Sequence, residues 1–176
     1  MKKIIVLIMV LLLTTACGER VKKEDINFID FDSFKIDMSA YKDMTSLDHN
    51  FKGVSPEEFM RVFKEGGSGA FLLGYEGCYN CQQSISHLNA AAEKVGVTVY
   101  YMDCYSEKYP LELYESDMIK LLEPYLTTNE KGQKAIYTPH LIILVNGEVY
   151  DSKIGLFKGK EKKIIKEYKK MLDVFE

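Results

Sequence analysis

The sequence predicts an α/β protein: a three-layer arrangement with a mixed central sheet flanked by helices, closed by a C-terminal antiparallel hairpin and a helix. Three observations predict it. Short runs rich in β-branched and aromatic residues alternate with longer stretches whose apolar residues recur every three or four positions. The last two strand-like runs are separated only by Asn146-Gly147, the strongest two-residue hairpin signal. A chain of 176 residues, 47 % apolar and 28 % charged, suits one globular domain of this kind. The same composition speaks against wholesale disorder, a multi-span membrane protein and a fibrous repeat. A net charge of −3 speaks against a broad nucleic-acid footprint.

The first segment reads as an address. Met1-Lys2-Lys3 is followed by an unbroken apolar run from Ile4 to Leu13 and by small residues, the layout of an export signal. As a helix that run would extend about 15 Å, half of a roughly 30 Å hydrocarbon core, so it is too short for a mature transmembrane helix. Thr14-Thr15-Ala16-Cys17 resembles the lipobox of bacterial lipoproteins, with Thr14 where leucine is usual. The resemblance implies cleavage after residue 16, a diacylated Cys17 and an anchor on the outer side of the bacterial cell membrane. Two acyl chains are what stable anchoring requires. The alternative is plain secretion with Cys17 incidental. Loss of Lys2 and Lys3 takes the formal charge from −3 to −5. The mature chain would then be extracytoplasmic, away from glutathione-type reducing pools. Residues 17–54 read as a tethered leader, polar from Gly18 to Asp25, and 55–176 as the folded domain.

Within the leader, Asn27–Met38 places Phe28, Phe34, Ile36 and Met38 on one parity and suggests an edge strand or hairpin arm. Tyr41–Gly53 is polar and turn-rich. Ser55-Pro56-Glu57-Glu58 combines a capping side chain, a first-turn proline and two acids at the positive end of the helix dipole. Phe59, Val62 and Phe63 continue it as an apolar stripe, which Gly66-Gly67 ends. Ala70–Tyr75 is apolar enough for a central strand. A helix follows from about Tyr79 to Val95, with Ile85, Leu88, Ala92 and Val95 inward and Gly96 as its stop. Val97–Met102 is β-branched and aromatic, a second strand. Leu111–Leu126 has helical periodicity, interrupted by Pro124. Thr127–Lys134 is a polar loop. His140–Val145 and Glu148–Ile154 form the closing hairpin, and Lys160–Phe175 an amphipathic final helix. The first strands are expected to be parallel and the last pair antiparallel.

Chemistry concentrates at Gly77-Cys78-Tyr79-Asn80-Cys81, between a buried strand and a helix start. Two cysteines three apart on a first helical turn can close a small disulfide ring. The first sits where unpaired backbone N–H groups and the helix dipole favour a thiolate, so its pKa is expected below the roughly 8.5 of a free thiol. Cys78 is then the attacking sulfur and Cys81, less exposed, resolves the mixed disulfide. Zinc uses the same spacing, but it would want a second pair or paired histidines. Cys104 stands alone, and His49, His87 and His140 are scattered.

This arrangement resembles the thioredoxin superfamily, and Thr138-Pro139 ahead of the His140–Val145 strand supports the likeness. The resemblance covers residues 55–175 and implies a cis Pro139 facing the cysteines. It implies that Thr138 offers its backbone to a substrate peptide, with Tyr79 and Asn80 also in the substrate site. It implies thiol–disulfide exchange with protein substrates and a redox partner, and no cofactor. The chain is also similar, more distantly, to thioredoxin-like accessory proteins of bacteriocin export. It departs from thioredoxin proper at three places. Gly77 stands where Trp precedes the first cysteine, Tyr79-Asn80 stand between the pair in place of Gly-Pro, and Ala70–Tyr75 lacks a buried acid.

Three secondary readings stay open. Cys78–Cys81 could be a structural disulfide in a binding or assembly module. A copper-handling protein would need His140 turned toward the pair. Cys104 reads as a half-buried free thiol, with a third redox cysteine as its alternative. Tyr75, Tyr79 and Tyr137 are candidates for the rim of the site. His87, nearly two turns beyond Cys81, is poorly placed as a base. The lysines from Lys158 to Lys170 read as a solvated helix face.

Overall fold

The structure is a computed structural model and describes residues 21–176. Cys17 and the segment read as an export signal lie outside the described residues. Among the described residues seven strands and four α-helices follow in order: β1 Phe51–Gly53, α1 Pro56–Lys64, β2 Gly69–Gly74, α2 Tyr79–Val95, β3 Val99–Asp103, α3 Glu115–Leu122, β4 Thr127–Thr128, β5 Lys134–Ala135, β6 His140–Val145, β7 Glu148–Ile154 and α4 Glu161–Leu172. The main sheet has the order β1-β3-β2-β6-β7. β1, β3 and β2 run parallel, while β6 and β7 are antiparallel. The predicted mixed sheet and its closing hairpin are therefore present.

Burial explains the strand order. Every residue of β2 and β6 is buried, so these apolar runs occupy the middle of the sheet, covered on both faces. On one face α2 and α4 contribute Ile85, Leu88, Tyr168 and Leu172 against Leu72, Leu141 and Ile143. On the other, α1 and α3 contribute Phe59, Val62, Met118 and Leu122 against Phe71, Leu73 and Ile142. Phe59 meets Phe71 edge-on with ring centroids 5.1 Å apart.

The helix ends follow their residues. Ser55 Oγ accepts the Glu58 N–H at 3.2 Å and Pro56 opens α1. α2 spans its predicted range and ends on Gly96 at φ +74°, a left-handed stop. The Leu111–Leu126 helix is corrected: only Glu115–Leu122 is α-helical, with single tighter turns on either side. Pro124 lacks the N–H that would bond back to Lys120. The loop predicted at Thr127–Lys134 contains the small β4–β5 hairpin.

The leader differs most. Asn27–Met38 supplies one bridge, Phe34 with Gly53, and the edge strand is Phe51–Gly53 inside the stretch read as turn-rich. A three-residue strand shows too little alternation to be seen in sequence; it exists because β3 offers it an edge to pair with. The segment ahead of residue 55 is packed into the domain. Ile26, Met38, Tyr41 and Phe51 are core residues. The Asn27 N–H donates to Asn146 Oδ1 at 2.7 Å, and Asn146 Nδ2 donates to the Asp25 carbonyl at 2.8 Å. The leader is thus tied to the hairpin turn at the base of the sheet.

Candidate active site

β2 ends at Gly74, the chain turns through Tyr75-Glu76-Gly77, and α2 begins. Cys78 is its N-cap residue: its Sγ accepts the Cys81 N–H at 3.1 Å. A cysteine thus occupies the position that serine or aspartate usually fills, with a backbone donor aimed at sulfur. The Cys78 N–H bonds to the Tyr75 carbonyl at 3.1 Å and fixes the turn. Both thiols are free; Cys78 is 6 % exposed and Cys81 0 %. Burial, reinforced by the Cys78 sulfur beside it, pushes the Cys81 thiol up to about 12. The pair is thereby divided into an outer sulfur and an inner one held as a thiol.

Thr138 comes from the turn that leads into β6, the neighbour of β2 in the sheet. Its Oγ1 donates to Cys78 Sγ at 3.4 Å, and Cys78 Sγ lies 3.7 Å from the Thr138 carbonyl. The Thr138–Pro139 peptide bond is cis, as the resemblance implies, and Pro139 is buried at the start of β6. The Pro139 carbonyl accepts the Gly155 N–H at 2.8 Å, which draws the end of β7 to the same place. Tyr79 and Asn80 are exposed on the first turn of α2, Tyr79 at 76 %. Tyr75 is half-buried and stacks edge-on against Tyr105 at 4.6 Å, while Tyr137 stands exposed beside Thr138.

His140 does not join the cysteines. Side chains alternate along a strand: Leu141, Ile143 and Val145 of β6 pack in the cluster holding Cys78 and Cys81, while His140 stands opposite Leu73, a residue of the other face. His140 is fully buried, and neither ring nitrogen has a partner. Burial holds its imidazole down to about 4. The copper reading required it on the cysteine side and is corrected by this placement. Cys104 is a half-buried free thiol, pushed up to about 12 by burial and by the neighbouring Asp103. It shares a cleft of about 190 Å³ with Tyr75, Ile136 and Thr138. His87 Nδ1–H donates to the Gln83 carbonyl of its own helix at 2.9 Å.

Among the described residues no carboxylate is buried. β2 presents Leu72 and Gly74 toward Cys81, and Glu76 is exposed. The polar groups on that side are the hydroxyls of Tyr41 and Tyr101, which bond to each other. Any side chain at Gly74 would press on them, because a Cβ there falls 3.0 Å from the Tyr101 ring and 3.4 Å from Cys81 Sγ.

Two residues at the site were not visible in the sequence. Gln82 Nε2 donates to the Ala40 and Glu76 carbonyls at 3.1 and 2.8 Å, and its Oε1 accepts the Lys42 N–H at 3.0 Å. It therefore ties the leader to the loop that carries the cysteines. Tyr41 arrives from a segment read as loop. A lone glutamine and a lone tyrosine carry no motif, so only folding reveals them.

The sheet order, a helix that starts on a cysteine pair and a cis-proline opposite that pair define a thioredoxin-like fold. Similar solved structures include thioredoxin O2 from Arabidopsis thaliana, with 15 % identity over 74 % of this chain and 98 % of that one and a TM-score of 0.49. Thioredoxin O1 from the same plant has 17 % identity over 67 % and 96 %, with a TM-score of 0.43. A thioredoxin from Aeropyrum pernix has 16 % identity over 67 % and 84 %, with a TM-score of 0.43. No protein-family model and no curated protein sequence matches the chain.

Proposed function

We propose that the chain is a thiol–disulfide oxidoreductase acting on protein disulfides and dithiols through Cys78 and Cys81. The observation that carries this reading is the setting of Cys78. Its sulfur caps α2, takes a backbone N–H from Cys81 and a hydroxyl from Thr138, and lies at the outer end of the pair. These donors stabilise negative charge on the sulfur as it attacks or leaves.

In the reducing direction the Cys78 thiolate attacks one sulfur of a substrate disulfide. The substrate S–S bond breaks, and its other sulfur leaves as a thiolate that takes up a proton. Cys81 then gives up its proton and attacks Cys78 Sγ. The mixed disulfide breaks, the second substrate thiol is released, and two electrons have passed to the substrate. The chain is left with a Cys78–Cys81 disulfide. The oxidising direction is the same sequence reversed. Thr138, which bonds to Cys78, and Pro139, Tyr79 and Asn80, its neighbours and those of Cys78 in the chain, are assigned to the substrate backbone and its flanking residues.

Trapping tests this. A Cys81→Ser chain is expected to accumulate mixed disulfides with client proteins, and a Cys78→Ser chain none. Absence of adducts from both variants, with no turnover of a model disulfide by the unaltered chain, would overturn the reading in favour of a structural disulfide in a binding module. Placement outside the cell belongs to the same proposal and rests on the pattern from Lys2 to Cys17. Labelled fatty acid should enter the unaltered chain, and Cys17→Ser should abolish the label and release the protein from membranes.

A further inference from the structure

A groove of about 250 Å³ runs between α2 and the start of α4. Tyr79, Gln83 and His87 line it from α2, and Leu156, Phe157 and Ile164 from the other side. Tyr79 follows Cys78 directly in the chain, so the groove borders the first turn of α2, next to the reacting sulfur's residue.

The stretch that supplies Leu156, Phe157 and Ile164 is strongly basic, with Lys158 directly after Phe157 and Lys163 directly before Ile164. From Lys153 to Lys166 the chain carries six lysines and one carboxylate, Glu161, although the whole protein has a formal charge of −3. Lys158, Lys160, Lys162, Lys163 and Lys166 are exposed. Among the described residues none of these five makes an ion pair, whereas Lys169 and Lys170 at the other end of α4 pair with Asp173, Glu176 and Glu167. Lys153 lies 5.3 Å over the Phe157 ring.

Local stability does not explain that placement. Lys160, Lys162 and Lys163 stand at the positive end of the α4 dipole, where a cation is unfavourable. Lys160 precedes the helix with no capping side-chain bond. Five unpaired cations thus cluster in the stretch that forms one wall of a groove whose other wall begins at Tyr79, the residue after Cys78, in a protein of opposite net charge.

We infer that this groove receives an acidic segment of the protein substrate. An apolar side chain fills the space between Tyr79, Phe157 and Ile164, carboxylates face Lys158, Lys160 and Lys163, and the substrate sulfur reaches Cys78. The inference rests on the oxidoreductase reading and adds the substrate's chemistry. Opposite charge at such a wall raises the rate of encounter and falls away with salt.

The test uses the full domain with three disulfide peptides of one sequence, flanked by acidic, neutral or lysine residues. At low salt the acidic peptide is expected to react roughly tenfold faster than the basic one, and the difference to collapse near 0.5 M salt. The triple variant K158E/K160E/K163E should reverse the order. The control K131E, in the distant β4–β5 turn, should leave the order unchanged. Equal rates for all three peptides overturn the inference and leave the oxidoreductase reading standing. Binding of the same peptides with serine in place of cysteine, read by fluorescence anisotropy, separates the two claims. Preferred binding of the acidic peptide without exchange keeps the groove and removes the redox reading; no exchange and no preference removes both. If the triple variant instead loses only its affinity for anionic phospholipid vesicles, the lysines serve a membrane surface and the inference is wrong.

Discussion

Thr138 and Cys78 lie sixty residues apart in the chain, and in the folded protein the threonine hydroxyl donates to the cysteine sulfur at 3.4 Å. No element of secondary structure joins them. β6 brings Thr138 in from one side and the β2–α2 turn brings Cys78 from the other. Thr138→Val keeps the shape and removes the donor. With a hydrogen bond to a charged group contributing about 1.5–3 kcal/mol, the first exchange step should slow roughly tenfold or more. Stopped-flow kinetics with a small disulfide reads it, and an unchanged rate would show that the hydroxyl has no role in attack.

His140 sets a pH dependence. An unfolded histidine takes up its proton near 6.5, whereas the buried ring holds out to about 4. Between those values the unfolded chain binds the extra proton. Stability therefore falls as pH drops from about 6.5 to about 4, by up to about 3 kcal/mol, and outside that window this residue adds no slope. His140→Leu removes two unpartnered nitrogens from the core. It should raise the urea midpoint at pH 7 and flatten the decline toward pH 4.5. A steeper decline would contradict this account.

Cys104 and Cys81 should label slowly. Both thiols are pushed up to about 12, so at pH 8 only about one molecule in ten thousand carries either thiolate. Reaction of Cys104 with iodoacetamide in a Cys78→Ser/Cys81→Ser chain should rise about tenfold per pH unit between 8 and 10. Cys104→Ala should leave peptide exchange unchanged. A loss of exchange would instead mark Cys104 as a third redox cysteine.

Tyr41 and Tyr101 form a buried pair whose hydroxyls satisfy each other. Burial raises both hydroxyls well above the usual tyrosine range, so both remain protonated. Tyr41→Phe or Tyr101→Phe leaves the other hydroxyl without its partner and should cost about 1–2 kcal/mol. The double variant should cost less than the two singles together, since it strands nothing. Denaturant unfolding of the three variants closes the cycle; strict additivity would show that the pair is not coupled.

Much of the fold could be read from residues that act locally. Ser55-Pro56 starts α1, Gly96 ends α2, and Asn146-Gly147 turns β6 into β7, because each needs only its own backbone conformation or its nearest N–H. The cysteine pair was legible for the same reason: Cys78 caps the helix that begins one residue later. Where local preference is weak, the reading missed. Phe51–Gly53 is a strand only because β3 has a free edge beside it, and Leu111–Leu126 breaks up where Pro124 and tertiary packing outweigh periodicity.

By itself the sequence determined the chemistry on offer: a thiol pair on a helix start, a proline ahead of a buried strand, and a chain able to cover a sheet on both faces. Tertiary structure decided what surrounds that chemistry. It set Thr138 against Cys78, turned His140 to the opposite face, and laid Tyr41 and the leader over the cysteine loop through Gln82. It also set Phe157 and Ile164, whose chain neighbours are lysines, across a groove from Tyr79. Helix caps and turns depend on neighbours a few residues away, whereas these contacts join residues tens of positions apart and exist only once the sheet has paired.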